Sequence, residues 1–285
     1  MNTRKSHRMS RFRATSLMVA ALLLMAMIPP SPAAASNTPV AAQCDAAAGS
    51  EHDLQRNLMV KPVATDEIKI GIALSACREA YKFERSPRIT FQLARVLHKA
   101  GRKQESLKLL EEASDQGYAA AMVNFGVLLA ERGDTGNEFA LMQRAAAAGN
   151  ILAAYNLGVA YRDGTGTAVD GTMAVQWFER ASLARDAVAT FNLAVIHDEG
   201  KLVPEDNEKA ARLYRQAAEA GNIDAMVNLG LMLEHGEGVS KDVSRALELY
   251  QRAAERGDGF AAKKTNRLKP VDIGGNEAAG VPDAG

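Results

Sequence analysis

Few residues in this chain have the types and spacing that chemistry needs. His197 is followed by Asp198 and Glu199, and His235 stands beside Glu234 and Glu237. Such mixtures of imidazole and carboxylate could bind a metal. However, neighbours one or two apart on a helix point in different directions, so these sets do not converge and no metal site is expected. "GTG" at Gly164–Gly166 and "GEG" at Gly236–Gly238 have the glycines of a phosphate loop, but the repeat register reads them as the turn between two helices. There is no G-x-S-x-G, H-E-x-x-H or S-x-x-K, and "KKTN" at Lys263 is not K-T-G. No catalytic residue or cofactor is expected. What does recur is an amide: Asn156, Asn192 and Asn228 are spaced 36 apart, with Asn124 32 before the first.

These amides must be positioned by repeated elements, because the sequence around them repeats as well. "YNLGVAYRDG", "FNLAVIHDEG" and "VNLGLMLEHG" open three consecutive units. A period of this size points to a stack of helix pairs in which each unit buries its apolar faces against its neighbours. In each first helix (helix A) a small residue follows leucine, at Gly158, Ala194 and Gly230, and permits close approach. Gly164, Gly200 and Gly236 end helix A, where a left-handed residue is needed. Asp170, Asp206 and Asp242 precede the second helix (helix B) and can cap it. Helix B carries Trp177-Phe178, Tyr214 and Tyr250 as core candidates. Gly149, Gly221 and Gly257 punctuate the unit ends, with Arg185 in the same place, and Gly171 stands where a better helix former is expected.

The pattern A-x-x-N-L-G, then G-x-G-V-x-x-D, then A-A-x-x-G resembles the Sel1-like repeat, a longer-looped relative of the tetratricopeptide repeat. The resemblance covers Ala119 to Asp258. The expected fold is all-α, a right-handed α-solenoid of stacked helix-turn-helix repeats. Residues 86–118 read as one tetratricopeptide-like unit, 119–258 as four Sel1-like units, and 259–268 as a C-terminal capping helix. The tail 269–285, rich in Gly, Pro and Ala, reads as disordered.

Residues 1–35 read as a secretory signal peptide. Five basic residues lead into the apolar run "SLMVAALLLMAMI", followed by small residues, with cleavage expected after Ala35. The apolar run is shorter than the roughly 20 residues a span requires, so no membrane span is expected after cleavage. Removing the signal takes the chain from 34 basic and 34 acidic residues to 29 and 34, a net charge of −5. Nucleic acid needs a basic footprint, so it is not an expected partner. Residues 36–85 form an N-terminal region in which 36–64 read as an extended arm and the stretch from Asp66 as a helix with Ile70, Ala73, Leu74, Cys77 and Tyr81 on one side. Cys44 and Cys77 are the only cysteines. In an oxidising compartment they are expected to form a disulfide rather than a reactive thiol pair, folding the arm back onto that helix. The expected location is periplasmic or secreted.

The resemblance implies a function as well as a fold. Helix A lines the concave side in the related tetratricopeptide fold, so the residues before the Leu-Gly pair would face a groove. These are Phe91-Gln92, Val123-Asn124, Tyr155-Asn156, Phe191-Asn192 and Val227-Asn228. Amides can bond the backbone of an extended peptide while apolar neighbours grip its side chains; the asparagines could instead bond a neighbouring helix. Arg88, Arg95, His98 and Lys99 at one end, and Asp198, Glu199, Asp224 and Glu234 at the other, would give the groove a polarity. Sel1 solenoids act as protein–protein scaffolds, so the expectation is a monomeric, non-enzymatic adaptor of the cell envelope with a protein or extended-peptide partner. The alternative is a cell-wall-related enzyme or glycan-binding protein, because penicillin binding or hydrolysis is attributed to a cysteine-rich Sel1 branch. That branch carries a disulfide in each repeat, which this chain lacks.

Overall fold

The structure is a computed structural model that describes residues 38–268. The expected signal peptide and the tail lie outside the described residues. All regular structure between these limits is helical: α1 (Pro39–Ala48), α2 (Ile70–Phe83), α3 (Pro87–Lys99), α4 (Lys103–Asp115), α5 (Ala119–Ala130), α6 (Thr135–Ala147), α7 (Ile151–Asp163), α8 (Gly171–Leu183), α9 (Ala187–Glu199), α10 (Asn207–Glu219), α11 (Ile223–His235), α12 (Val243–Glu255) and α13 (Gly259–Leu268). From α3 to α13 each helix packs on its neighbours in sequence, as a stack of A/B pairs requires. Among the described residues no helix is long and apolar enough to cross a membrane.

The arm expected over 36–64 is in part a helix. Thr38 caps α1 by accepting from the Ala41 backbone N–H, and Pro39 occupies its first turn. Alanines surround this helix on all sides, so its sequence shows no period, although Ala41, Cys44, Asp45 and Ala48 fall on one buried face. The Cys44–Cys77 disulfide joins α1 to α2.

The repeat chemistry takes the expected form. Gly164, Gly200 and Gly236 follow α7, α9 and α11 with φ of 76°, 62° and 85°. Asp170, Asp206 and Asp242 accept from backbone N–H groups at 3.0, 2.8 and 2.9 Å. Phe178, Tyr214 and Tyr250 are fully buried, whereas Trp177 is only partly so. A Cβ on Gly158 would lie 2.6 Å from the Phe178 ring, and one on Gly230 2.7 Å from the Tyr250 ring. These glycines set the distance between helix A and helix B.

Gly171 proves to be a spacer as well. The first residue of helix B meets the loop of the following unit in three pairs: Thr135 with Gly166, Gly171 with Leu202, and Asn207 with Gly238. A Cβ on the glycine would lie 2.3, 2.3 and 2.2 Å, respectively, from its partner's carbonyl oxygen. One member of each pair is glycine, and where the loop carries Leu202 the glycine has moved to the helix. Arg185 adopts φ 65°, the one described residue other than glycine in the left-handed region.

Candidate functional site

The helix-A residues at the expected positions form a repeated stripe. On α7 it runs through Leu152, Tyr155, Asn156 and Val159, and on α9 through Val188, Phe191, Asn192 and Val195. On α11 it includes Val227, Asn228 and Leu231. Tyr155, Val159, Phe191, Val195, Val227 and Leu231 are partly buried against the core, while Val188 is 48% exposed and Val127 on α5 is 43% exposed. Tyr155 packs against Phe178 and Phe191 against Tyr214, each pair with tilted rings and centroids 5.8 Å apart. The outcome is a semi-open apolar band with amides beside it.

The amides all have intramolecular contacts. Asn124 Nδ2 donates to Ala120 O at 2.9 Å, within its own helix. Asn156 Nδ2 lies 3.6 Å from Met142 Sδ. Asn192 Nδ2 donates to Val188 O at 2.9 Å, and its Oδ1 accepts from Arg162 Nη1 at 2.6 Å. Asn228 Nδ2 donates to the Tyr214 hydroxyl at 3.0 Å, which in turn donates to Asp198 at 2.9 Å. One unit further on, Lys264 takes the asparagine's place and donates to Glu234 at 2.8 Å, and Tyr250 donates to the same carboxylate at 3.0 Å. A polar ladder thus links successive units along the same edge as the apolar band. Sequence reasoning found its asparagines but not Arg162, Tyr214 or Tyr250, whose polar ends reach the ladder from helix ends and from helix B.

Phe91 and Gln92 do not line an open face. Both are fully buried: Gln92 because α1 covers that face of α3, and Phe91 because it packs on Tyr118 in the core shared with α4 and α5. Asp45, 2% exposed, accepts from Arg88, from Gln92 Nε2 at 2.8 Å and from Asn57 Nδ2 at 3.0 Å. Arg95 donates to Ala48 O, to Val63 O at 3.1 Å and to Thr65 Oγ1 at 3.1 Å. The Tyr118 hydroxyl donates to Asp53, and the Ala119 N–H to Gln55 Oε1 at 3.4 Å. Burial pushes the Asp53 carboxyl above its ordinary range, although the hydrogen bonds from Tyr118 and the Gln55 backbone and the charges of Arg88 and Arg95 oppose this.

The expected charge polarity is therefore altered. Arg88 and Arg95 are engaged by the N-terminal segment, and Glu234 by Lys264 and Arg267. Asp198 remains among acidic neighbours: burial and the charges of Glu237, Glu205 and Glu199 raise its pKa, and only the Tyr214 hydrogen bond lowers it. His197 is buried in the α8–α10 region with both ring nitrogens unpartnered. Burial and the Lys209 charge lower its pKa, against Asp206 and Glu179. Among the described residues no group of three His, Cys, Asp or Glu side chains could hold a metal ion.

Comparison with known proteins agrees with this architecture. The Sel1 repeat family matches residues 97–118, 151–186, 187–222 and 223–258, the first lying within the pair read as tetratricopeptide-like. A Sel1 repeat protein from Oxalobacter formigenes is 30% identical, with 61% of this chain and 73% of that one covered and a TM-score of 0.56. The structure of c5321, described as a protective antigen present in uropathogenic Escherichia coli strains, is 21% identical with a TM-score of 0.65. That match covers 70% of this chain but only 44% of the E. coli protein, so this chain spans less than half of it. No curated protein matches the chain. The repeats matched along α7 to α12, the glycine-spaced helix pairs and the Oxalobacter relative place the chain in the Sel1 repeat family.

Proposed function

We propose that this protein is a non-catalytic scaffold that binds a protein or extended-peptide partner along the helix-A face from α5 to α11. Sel1 and tetratricopeptide-type repeat proteins generally mediate protein–protein interaction and are generally not enzymes. The observation that carries the reading is that this face already holds polypeptide at its first unit. Gln92 and Arg95 occupy the register of Asn124 and Val127, and they bind α1 and the following loop through side-chain hydrogen bonds. From α5 onward the amide register is open: Asn124 is exposed and Asn156, Asn192 and Asn228 are half-open, with the half-open Tyr155 and Phe191 beside them, although Val123 on α5 is buried rather than groove-facing. Side-chain amides beside apolar holds suit an extended chain. The Cys44–Cys77 disulfide fits a periplasmic or secreted setting, and the working state is a monomer acting as an envelope adaptor.

Substitution at exposed positions tests the reading without disturbing the core. Val127→Glu and Val188→Glu place charge on the band, and Leu183→Glu, at a residue 87% exposed, serves as control. A partner co-isolated with the unaltered protein is lost with the first two and kept with the third. Retention with all three would remove the helix-A face as the binding surface.

A further inference from the structure

Arg95 is a buried cation to which no carboxylate is bonded. It is 8% exposed, and its hydrogen bonds go to Ala48 O, Val63 O and Thr65 Oγ1, all neutral. A guanidinium taken out of water needs a counter-charge as well as hydrogen bonds. Asp53 and Glu51 are the carboxylates whose charge reaches it. Asp53 is buried and lends part of that charge without bonding Arg95, since its Tyr118 partner is a neutral hydroxyl, and Glu51 is exposed.

Arg95 also lines a cavity of about 100 Å³, where the loop from α1 ends and the open part of the helix-A face begins. Thr65, His98, Ser106 and Asn124 share the lining and bring further hydrogen-bonding groups. His98 Nδ1 is buried without a partner. The lone carboxylate of the lining, Glu131, is exposed. Val127 and Leu128 supply an apolar wall. A water occupies about 30 Å³ in the liquid, so the space suits a carboxylate with a methylene or two.

We infer that this cavity receives a carboxylate of the bound partner, with Arg95 as its counter-charge and Asn124 as a hydrogen-bond donor at its edge. The inference rests on the helix-A face being the partner-binding surface and adds the chemistry read at its first open unit. An acidic side chain and a chain end offer the same group.

The test is an NMR titration of the full chain with its disulfide formed, following the Asn124 side-chain amide and the Arg95 Nε–H. The probes are N-acetylglycine for a chain end, N-acetylaspartic acid α-amide for a side chain, and neutral N-acetylglycinamide, all at matched ionic strength. At least one acid gives a saturable shift and the neutral probe gives none, and the acid that binds tighter names the source. Hydrogen bonds to charged groups are worth enough that Asn124→Asp, which adds a competing negative charge at an exposed position, weakens binding about tenfold or more. Glu131→Gln tightens it. No saturable response to either acid, an equal response to the neutral probe, or unchanged affinity in Asn124→Asp would overturn the inference. Because Val188 lies outside this cavity, Val188→Glu tests partner binding itself, and failure of either reading is visible separately from the other.

Discussion

Replacing Gly171 with alanine sets helix propensity against packing. By propensity alone the change helps, since glycine in a helix is worse than alanine by about 0.5–1 kcal/mol. In this fold the new Cβ would lie 2.3 Å from Leu202 O and 2.8 Å from both the Leu202 carbonyl carbon and its Cβ. Two of those three atoms are backbone, so the neighbour yields only if the α9–α10 loop shifts. Overpacking of this kind costs about 1–3 kcal/mol, and after the propensity gain the net loss is about 1–2 kcal/mol. For a chain of this size each kcal/mol moves the melting midpoint by about 2–4 °C. The single tryptophan, Trp177 on the same helix, reports unfolding in urea. The pairing of Thr135 with Gly166 and Asn207 with Gly238 supplies a second arm. Gly171→Thr combined with Leu202→Gly recreates that arrangement and should cost less than the sum of the single changes, by about 0.5–3 kcal/mol of coupling. A neutral or stabilising Gly171→Ala, or strict additivity in the double variant, would refute the reasoning that glycine sets the distance between units.

Other expectations follow from single residues. Arg185 holds φ 65°, a conformation that costs a side-chain-bearing residue about 1–2 kcal/mol; Arg185→Gly raises the unfolding free energy by about 1 kcal/mol, read by urea titration. His197 is buried with both nitrogens unpartnered and its pKa lowered by burial and the Lys209 charge. Its folded state resists protonation, so stability falls as pH drops through the ordinary imidazole range near 6.5. His197→Leu, the residue at the matching position Leu233, gains about 1 kcal/mol, more in mild acid than in mild alkali, measured by melting across pH. Burial raises the Glu234 pKa, but hydrogen bonds from Lys264 and Tyr250 and the charges of Lys264 and Arg267 outweigh this and leave it below 4.5. Its contribution is present above that value and is lost as pH falls through the lowered one; the NMR signals of Lys264 and Thr265 report α13 loosening in acid, and Glu234→Gln removes that transition. The disulfide closes a sequence separation of 33, worth about 3–4 kcal/mol on the loop-entropy account, so Cys44→Ser with Cys77→Ser lowers the urea midpoint while the later repeats keep their helicity.

Much of the fold was legible because the repeat writes each signal several times. The helix ends at Gly164, Gly200 and Gly236 and the caps at Asp170, Asp206 and Asp242 depend on local backbone chemistry, which sequence carries directly. Helix α1 was missed because an alanine-rich helix has no apolar period to read, and its buried face shows only once α3 packs on it. Gly171 looked like a weak helix start because its reason lies in Leu202, in the next unit. The site was legible in register but not in access. The sequence placed Phe91 and Gln92 in line with Tyr155-Asn156 and Phe191-Asn192, yet nothing local to α3 says that Asp45 and the loop to Thr65 cover it. Tyr214 and Tyr250 read as core, and they are buried, but their hydroxyls reach Asp198 and Glu234 and so belong to the ladder as well.

The most direct test of partner binding on the helix-A face is photo-crosslinking in cells, with the crosslinker placed at Tyr155 and Phe191 and, as a control on helix B, at Arg212, whose side chain is 62% exposed. The account predicts one dominant protein captured from Tyr155 and Phe191 and not from Arg212. Equal capture at all three positions, or capture from Arg212 alone, would contradict it.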